Sequence, residues 1–182
     1  MITIHIPEIE YYDEEKEEFG LIKAQNITLE HSLVSIDKWE SMYKRPFLVK
    51  DPPKTREETL DYIRCMTITQ NVDPLAYNYI PKEEIDRIEK YIDDPMTATT
   101  IKEDPSKPPS REIITAELVY YWMIALQIPW ECRKWHFNKL ITLIRVCNIK
   151  NDPHPKKLKG NKLLSRNRAL NEARLAKMRN GG

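Results

Sequence analysis

Cys132 and His136 are the residues whose types and spacing come nearest to chemistry. Four positions apart on a helix, a thiolate and an imidazole face the same way and fall within reach of one zinc ion. Zinc takes three or four ligands, and nothing nearby completes the set. Cys147 and His154 stand alone, and His5 and His31 lie far off in sequence. The plainer reading is a buried cysteine and a hydrogen-bonded histidine, with no metal. A cysteine nucleophile would need a base beside it and an exposed, sharply turned position. None of Cys65, Cys132 and Cys147 has a flanking glycine. Carboxylates pair at Glu57-Glu58, Glu83-Glu84 and Asp93-Asp94, all at expected helix ends, where capping and the helix dipole account for them. The chain has only four glycines and no phosphate-cradling loop. No catalytic residue, metal or cofactor is expected, and the chain reads as a non-enzymatic binder of macromolecules.

The net charge is only +1, but its sign is unevenly spread. Residues 1–32 hold eight acids against Lys16 and Lys23, whereas residues 133–182 hold fourteen Lys or Arg against Asp152 and Glu172. An acidic head and a basic tail read either as solvated ends or as an interaction device. Within the tail, Arg166, Arg168, Arg174, Lys177 and Arg179 follow Lys156, Lys157, Lys159 and Lys162. Nucleic acid would use such a run as an electrostatic footprint. The run lacks the interleaved aromatics that stack on unpaired bases, and it matches no familiar DNA-binding motif. An acidic protein partner, or the acidic N-terminus itself, would serve as well. The tryptophans Trp39, Trp122, Trp130 and Trp135 are expected mostly in the core. Trp130, next to the break at Pro129, is also placed to anchor a partner helix if its ring is exposed. The candidate partner-binding residues are therefore Trp130, Arg166, Arg168, Arg174, Lys177 and Arg179.

The elements that must position these residues belong to a mainly α, α+β chain. A length of 182 residues fits one helical domain over 1–155 with an N-terminal β element, followed by a basic C-terminal helix or tail over 156–182. Three cysteines are too few and too odd for a disulfide framework, so a reducing compartment is expected. Met1 to Phe19 has no basic region or long apolar run, so no signal peptide is expected there. The run Leu118 to Leu126 is too short to span a bilayer, and no membrane contact is expected.

Ile2, Ile4 and Ile6 alternate with polar residues, which predicts a strand stopped by Pro7. Tyr11 to Glu18 reads as an acidic connection, and Leu21-Ile22 and Ile27 to Leu29 as short strands completing a hairpin or small sheet. Ser35 is placed to cap a helix carrying Trp39, Met42 and Tyr43, ended by Pro46. Thr55 with Glu58 forms a capping box before a helix bearing Leu60 and Ile63. Residues 71–81 read as a loop. Pro81 opens a helix with an Ile85, Ile88, Ile92 stripe, ended by Asp93-Asp94-Pro95. Residues 96–110 read as a mobile loop. Ser110 is placed to cap a helix running to about Gln127, apolar over most of its girth and so expected at the centre of the core. A second long helix is expected from Trp130 to about Ile149, antiparallel to it. A last helix, Leu163 to Met178, is thin in apolar residues and rich in Arg.

Several segments carry a resemblance. They are Leu29-Glu30-His31-Ser32-Leu33 running into Lys38-Trp39-Glu40-Ser41, then Pro46-Phe47-Leu48, and Pro95-Met96-Thr97-Ala98-Thr99-Thr100. They continue with Trp135-His136, Leu143-Ile144-Arg145-Val146-Cys147-Asn148 and the closing Ser165-Arg166-Asn167-Arg168-Ala169-Leu170-Asn171-Glu172-Ala173-Arg174. Over most of its length the chain resembles a family of small tail-module proteins of tailed bacteriophages, often described as tail assembly chaperones. The resemblance implies a protein of the host cytoplasm that binds the tape measure protein or tail tube subunits during assembly, with no catalytic residues to carry over. A virion structural protein of the tail or connector, a nucleic-acid-binding protein and a homo-oligomer stay open beside it.

Overall fold

The computed structural model describes residues 1–13, 17–101 and 112–151, together with 168, 171 and 172. The chain forms two compact units, Met1–Cys147 and Asn148–Gly182. The fold is α+β and mostly helical, with two hairpin ladders at its start.

The isoleucine alternation gives β1, Ile2–Ile6, which pairs antiparallel with β4, Gln25–Leu29, in the register Ile4 opposite Ile27 and Ile2 opposite Leu29. Ile4, Ile6, Ile27 and Leu29 are fully buried and make the floor of the core. Between them, β2, Ile9–Asp13, pairs with β3, Glu18–Ile22. This hairpin falls where an acidic connection was expected. Period two explains it: Ile9, Tyr11, Gly20 and Ile22 share one face, and Glu10, Tyr12, Phe19 and Leu21 the other. The Tyr11 ring lies where a side chain on Gly20 would stand, so any larger residue there would have to displace the ring. Cross-strand aromatic contact thus holds a ladder that the acids alone would disfavour.

Helix α1, Leu33–Tyr43, is capped by Ser32, three residues before the expected Ser35. Ser35 is instead the returning half of the box: its Oγ accepts from Ser32 N–H at 2.9 Å, while Ser32 Oγ accepts from Ser35 N–H. Leu33, Ile36 and Trp39 of α1 face the core, and the Trp39 indole N–H donates to Glu58 O at 2.9 Å. Helix α2, Arg56–Met66, starts at the Thr55/Glu58 capping box read from the sequence and buries Tyr62, Ile63 and Met66. Its end runs along β4, where Glu30 N–H donates to Met66 O and Ile68 N–H to Thr28 O. The 71–81 stretch contains a 3-10 helix, Pro74–Tyr79, that buries Ala76 and Tyr77. Helix α3, Lys82–Asp93, follows Pro81 and buries Ile88, with Ile85 and Ile92 half-buried.

Helix α4, Ala116–Ala125, begins later than expected, capped by Thr115; Ser110 lies outside the described residues. The long helix expected from Trp130 is two pieces, a 3-10 helix Trp130–Lys134 and α5, Phe137–Asn151. The interruption comes from backbone pairing. His136 forms an antiparallel bridge with Ser32, and Phe137 N–H donates to His31 O at 2.8 Å, so the chain is drawn extended before α5 starts. The unit boundary at Cys147 lies inside α5, and the 155/156 boundary read from the sequence lies outside the described residues.

Candidate protein-docking surface

Helix α4 carries the sequence Ala-Glu-Leu-Val-Tyr-Tyr-Trp-Met-Ile-Ala, and only Ala116, Val119 and Met123 are buried. A helix that apolar is ordinarily buried all round. Here Tyr121 is 63% and Ile124 69% exposed, and Leu118, Tyr120 and Trp122 are half-buried. The expectation of a central core helix is thus corrected: α4 covers the core with one stripe and turns Tyr121 and Ile124 outward, one turn beyond the exposed Glu117. Three positions apart, Tyr121 and Ile124 are neighbours on that outward side.

Rigid anchors hold α4 in place. Glu40, on α1, is buried, and its Oε2 accepts from Ala116 N–H at 2.7 Å at the start of α4. Its Oε1 accepts from Phe47 N–H, also at 2.7 Å, in the segment after α1. Burial pushes the Glu40 carboxyl up, and the two backbone N–H groups pull it back by favouring the charged form. Tyr120 donates to Asp37 Oδ2 at 3.3 Å, and burial together with Asp37 pushes its hydroxyl up to about 12. After α4, Gln127 takes positive φ (53°) and Ile128 N–H donates to Met123 O, which turns the chain into Pro129.

That turn delivers Trp130 against Tyr120, ring centroids 5.1 Å apart, with Trp130 still 45% exposed. The Arg133 guanidinium lies 4.8 Å over the Trp130 ring, and Lys139 lies 4.8 Å over Trp135, itself 40% exposed. These cation–aromatic stacks make a ledge that is aromatic and positive. The salt bridges among the described residues involve none of Arg133, Lys134 and Lys139. The ledge joins α4 through the Tyr120–Trp130 contact.

Behind this surface lies a buried polar seam that spacing did not reveal. His31 Nδ1 sits 2.5 Å from Tyr62 Oη, and the His31 and His136 rings meet edge-on at 5.0 Å. His136 Nε2–H donates to Tyr91 O at 2.9 Å, which leaves its buried Nδ1 without a partner among the described residues. Tyr91 in turn donates to Glu30 Oε1 at 2.5 Å. Burial, and then the neighbouring His136, lower His31 to about 3, so its ring is neutral. Burial likewise holds the Tyr62 hydroxyl in its neutral form. The seam ties the β4–α1 junction, α2, α3 and the step before α5 together.

Of the residues singled out from the sequence, Cys132 and His136 are both buried but share no helix, one lying in the 3-10 helix and the other in the extended step after it. Burial pushes the Cys132 thiol up. Among the described residues no three His, Cys, Asp or Glu side chains gather as a metal site. Trp130 is exposed on the ledge, and Arg168 is helical and exposed. Arg166, Arg174, Lys177 and Arg179 lie outside the described residues. Among the described residues no helix is long and apolar enough to cross a membrane. The exposure of Tyr121, Ile124 and Trp135 was missed because their apolar character signalled core. Comparison with models of known families, with curated proteins and with solved structures returns no match.

Proposed function

We propose that the protein is a non-enzymatic assembly factor that holds a client protein against the outward side of α4. The observation that carries this reading is the exposure of Tyr121 and Ile124 on a helix whose core stripe is already satisfied. Apolar side chains presented at successive turns suit an amphipathic client helix laid alongside. The adjoining Trp130, with Arg133 stacked on it, supplies an aromatic anchor and favours acidic residues on the client's flank. The resemblance to tail assembly chaperones makes the tape measure protein or a tail tube subunit the proposed client, met in the host cytoplasm. Arg166, Arg168, Arg174, Lys177 and Arg179 are proposed as steering charges for the same encounter.

Co-expression with the tape measure and tube proteins of the same phage tests the reading. The expected result is a complex absent from finished virions. Persistence of the protein in the mature particle would favour the virion structural reading instead. Nucleic acid that co-purifies until high salt removes it would favour the basic tail as a nucleic-acid arm.

A further inference from the structure

The β2–β3 hairpin is satisfied on one side only. On its inner face Ile22 is fully buried, Tyr11 covers Gly20, and the Tyr11 ring lies 6.3 Å from that of Tyr79. On its outer face Phe19 is 81% exposed, beside exposed Tyr12 and Leu21. The Tyr12 and Phe19 rings pair across the strands at 5.1 Å. An apolar trio on a two-stranded ladder contributes nothing to the core, and such a ladder is marginal without a further layer. Glu10, opposite Leu21, shares this outer face, and the sequence over residues 8–18 is acidic, with seven Asp or Glu against one Lys. The salt bridges among the described residues include none of Glu8, Glu10, Glu17 and Glu18. An apolar, basic surface suits this face, whereas two such acidic hairpins placed face to face would bring like charges together.

The ledge of Trp130, Arg133, Lys134, Trp135 and Lys139 has the complementary character. It is aromatic, its exposed rings carry cations, and its only acid between 130 and 139 is Glu131. Nζ of Lys139 and the Arg133 guanidinium already sit on ring faces, so a docking carboxylate meets a charge held in place. Both surfaces belong to the unit Met1–Cys147 and both are exposed, so within one molecule they leave each other uncovered. We propose that the outer face of the β2–β3 hairpin of one copy docks on the Trp130–Lys139 ledge of a second copy. The two surfaces differ, so the contact is head-to-tail, and a docked pair keeps one unused ledge on the first copy and one unused hairpin on the second. Association then grows with concentration into short chains or a closed ring. The proposal does not rest on the client reading, because self-association requires no client.

Light scattering on the purified full-length chain tests it, with two surface variants. Phe19→Asp breaks the hairpin face, and Lys134→Glu/Lys139→Glu breaks the ledge. Circular dichroism and thermal melting of each variant, expected to match the wild type, establish that both fold. The wild type is expected to gain mass with concentration at low salt and to lose it, with at least about tenfold weaker association, at high salt, where exposed charges are screened. Each variant alone is expected to stay monomeric. Mixed in equal amounts they are expected to form a dimer and nothing larger, since one intact hairpin meets one intact ledge. A monomeric wild type at low salt and high concentration overturns the proposal. So does association of either variant alone, or a mixture that stays monomeric. Loss of client capture with these mass results unchanged would count against the client reading only.

Discussion

Helices α1 and α4 invert the usual relation between composition and burial. Helix α1, Leu33–Tyr43, is interrupted by Ser35, Asp37, Lys38, Glu40 and Ser41, yet it buries Leu33, Ile36 and Trp39 completely. Helix α4 is the more apolar of the two, yet it leaves Tyr121 and Ile124 to solvent. Exposed apolar residues scattered singly are ordinary. An apolar stripe on the back of a helix that already has its core stripe is different, because its exposure costs free energy that folding does not recover. On the proposed function, the contrast separates residues that make the fold from residues held ready for a partner. The two helices are joined by Glu40, so the fold-making helix fixes the start of the more exposed one.

The comparison can be broken most severely at Trp39. Trp39→Ala removes a fully buried indole and its bond to Glu58 O. It is expected to cost about 3–5 kcal/mol of unfolding free energy, read from urea denaturation. A loss below about 1 kcal/mol would mean that α1 is not the core helix described. Next is the joint between the helices. Glu40→Ala leaves Phe47 N–H and Ala116 N–H without their acceptor, and a loss of about 2–3 kcal/mol is expected in the same measurement.

The polar seam gives a smaller, pH-dependent effect. His31 is lowered from its ordinary 6.5 to about 3 in the folded chain. Below pH 6.5 the unfolded chain takes up a proton that the folded chain refuses. Stability is therefore full above that pH and falls as pH drops toward the folded value. Between pH 7.5 and 5.5 the loss is expected to be about 1.4 kcal/mol, and a His31→Gln variant is expected to show a flatter profile. Equal slopes for the two proteins would show that His31 does not carry the effect. The smallest effect on stability belongs to α4. Tyr121→Ser/Ile124→Ser is expected to change unfolding free energy by less than about 0.5 kcal/mol.

Local signals in the sequence were reliable where one residue type has one physical use. The isoleucine alternation of β1, the Thr55/Glu58 capping box, and the α3 stripe between Pro81 and Asp93 all appear where they were read. Signals that depend on what packs elsewhere were misread. The acids of residues 8–18 hid a hairpin whose reason is the Tyr11–Gly20 and Tyr12–Phe19 cross-strand fits. The helix expected from Trp130 was cut at His136 by a bridge to Ser32, more than a hundred residues away in sequence. The outward stripe of α4 was illegible for a related reason. Periodicity reports that a helix is apolar, and only the count of available neighbours decides how much of it is covered. Trp130 was read first as core, with exposure as the alternative because Pro129 marks a turn, whereas nothing near Tyr121 or Ile124 marks exposure.

The measurement that bears most directly on the division between α1 and α4 is a paired assay of the Tyr121→Ser/Ile124→Ser variant. Its thermal midpoint would be read beside its capture of the proposed clients, the tape measure and tube proteins, on co-expression. A partner-facing α4 requires an unchanged midpoint with capture lost. Capture at the wild-type level, or a midpoint that falls as far as that of Trp39→Ala, would contradict the assignment of the outward stripe to a partner.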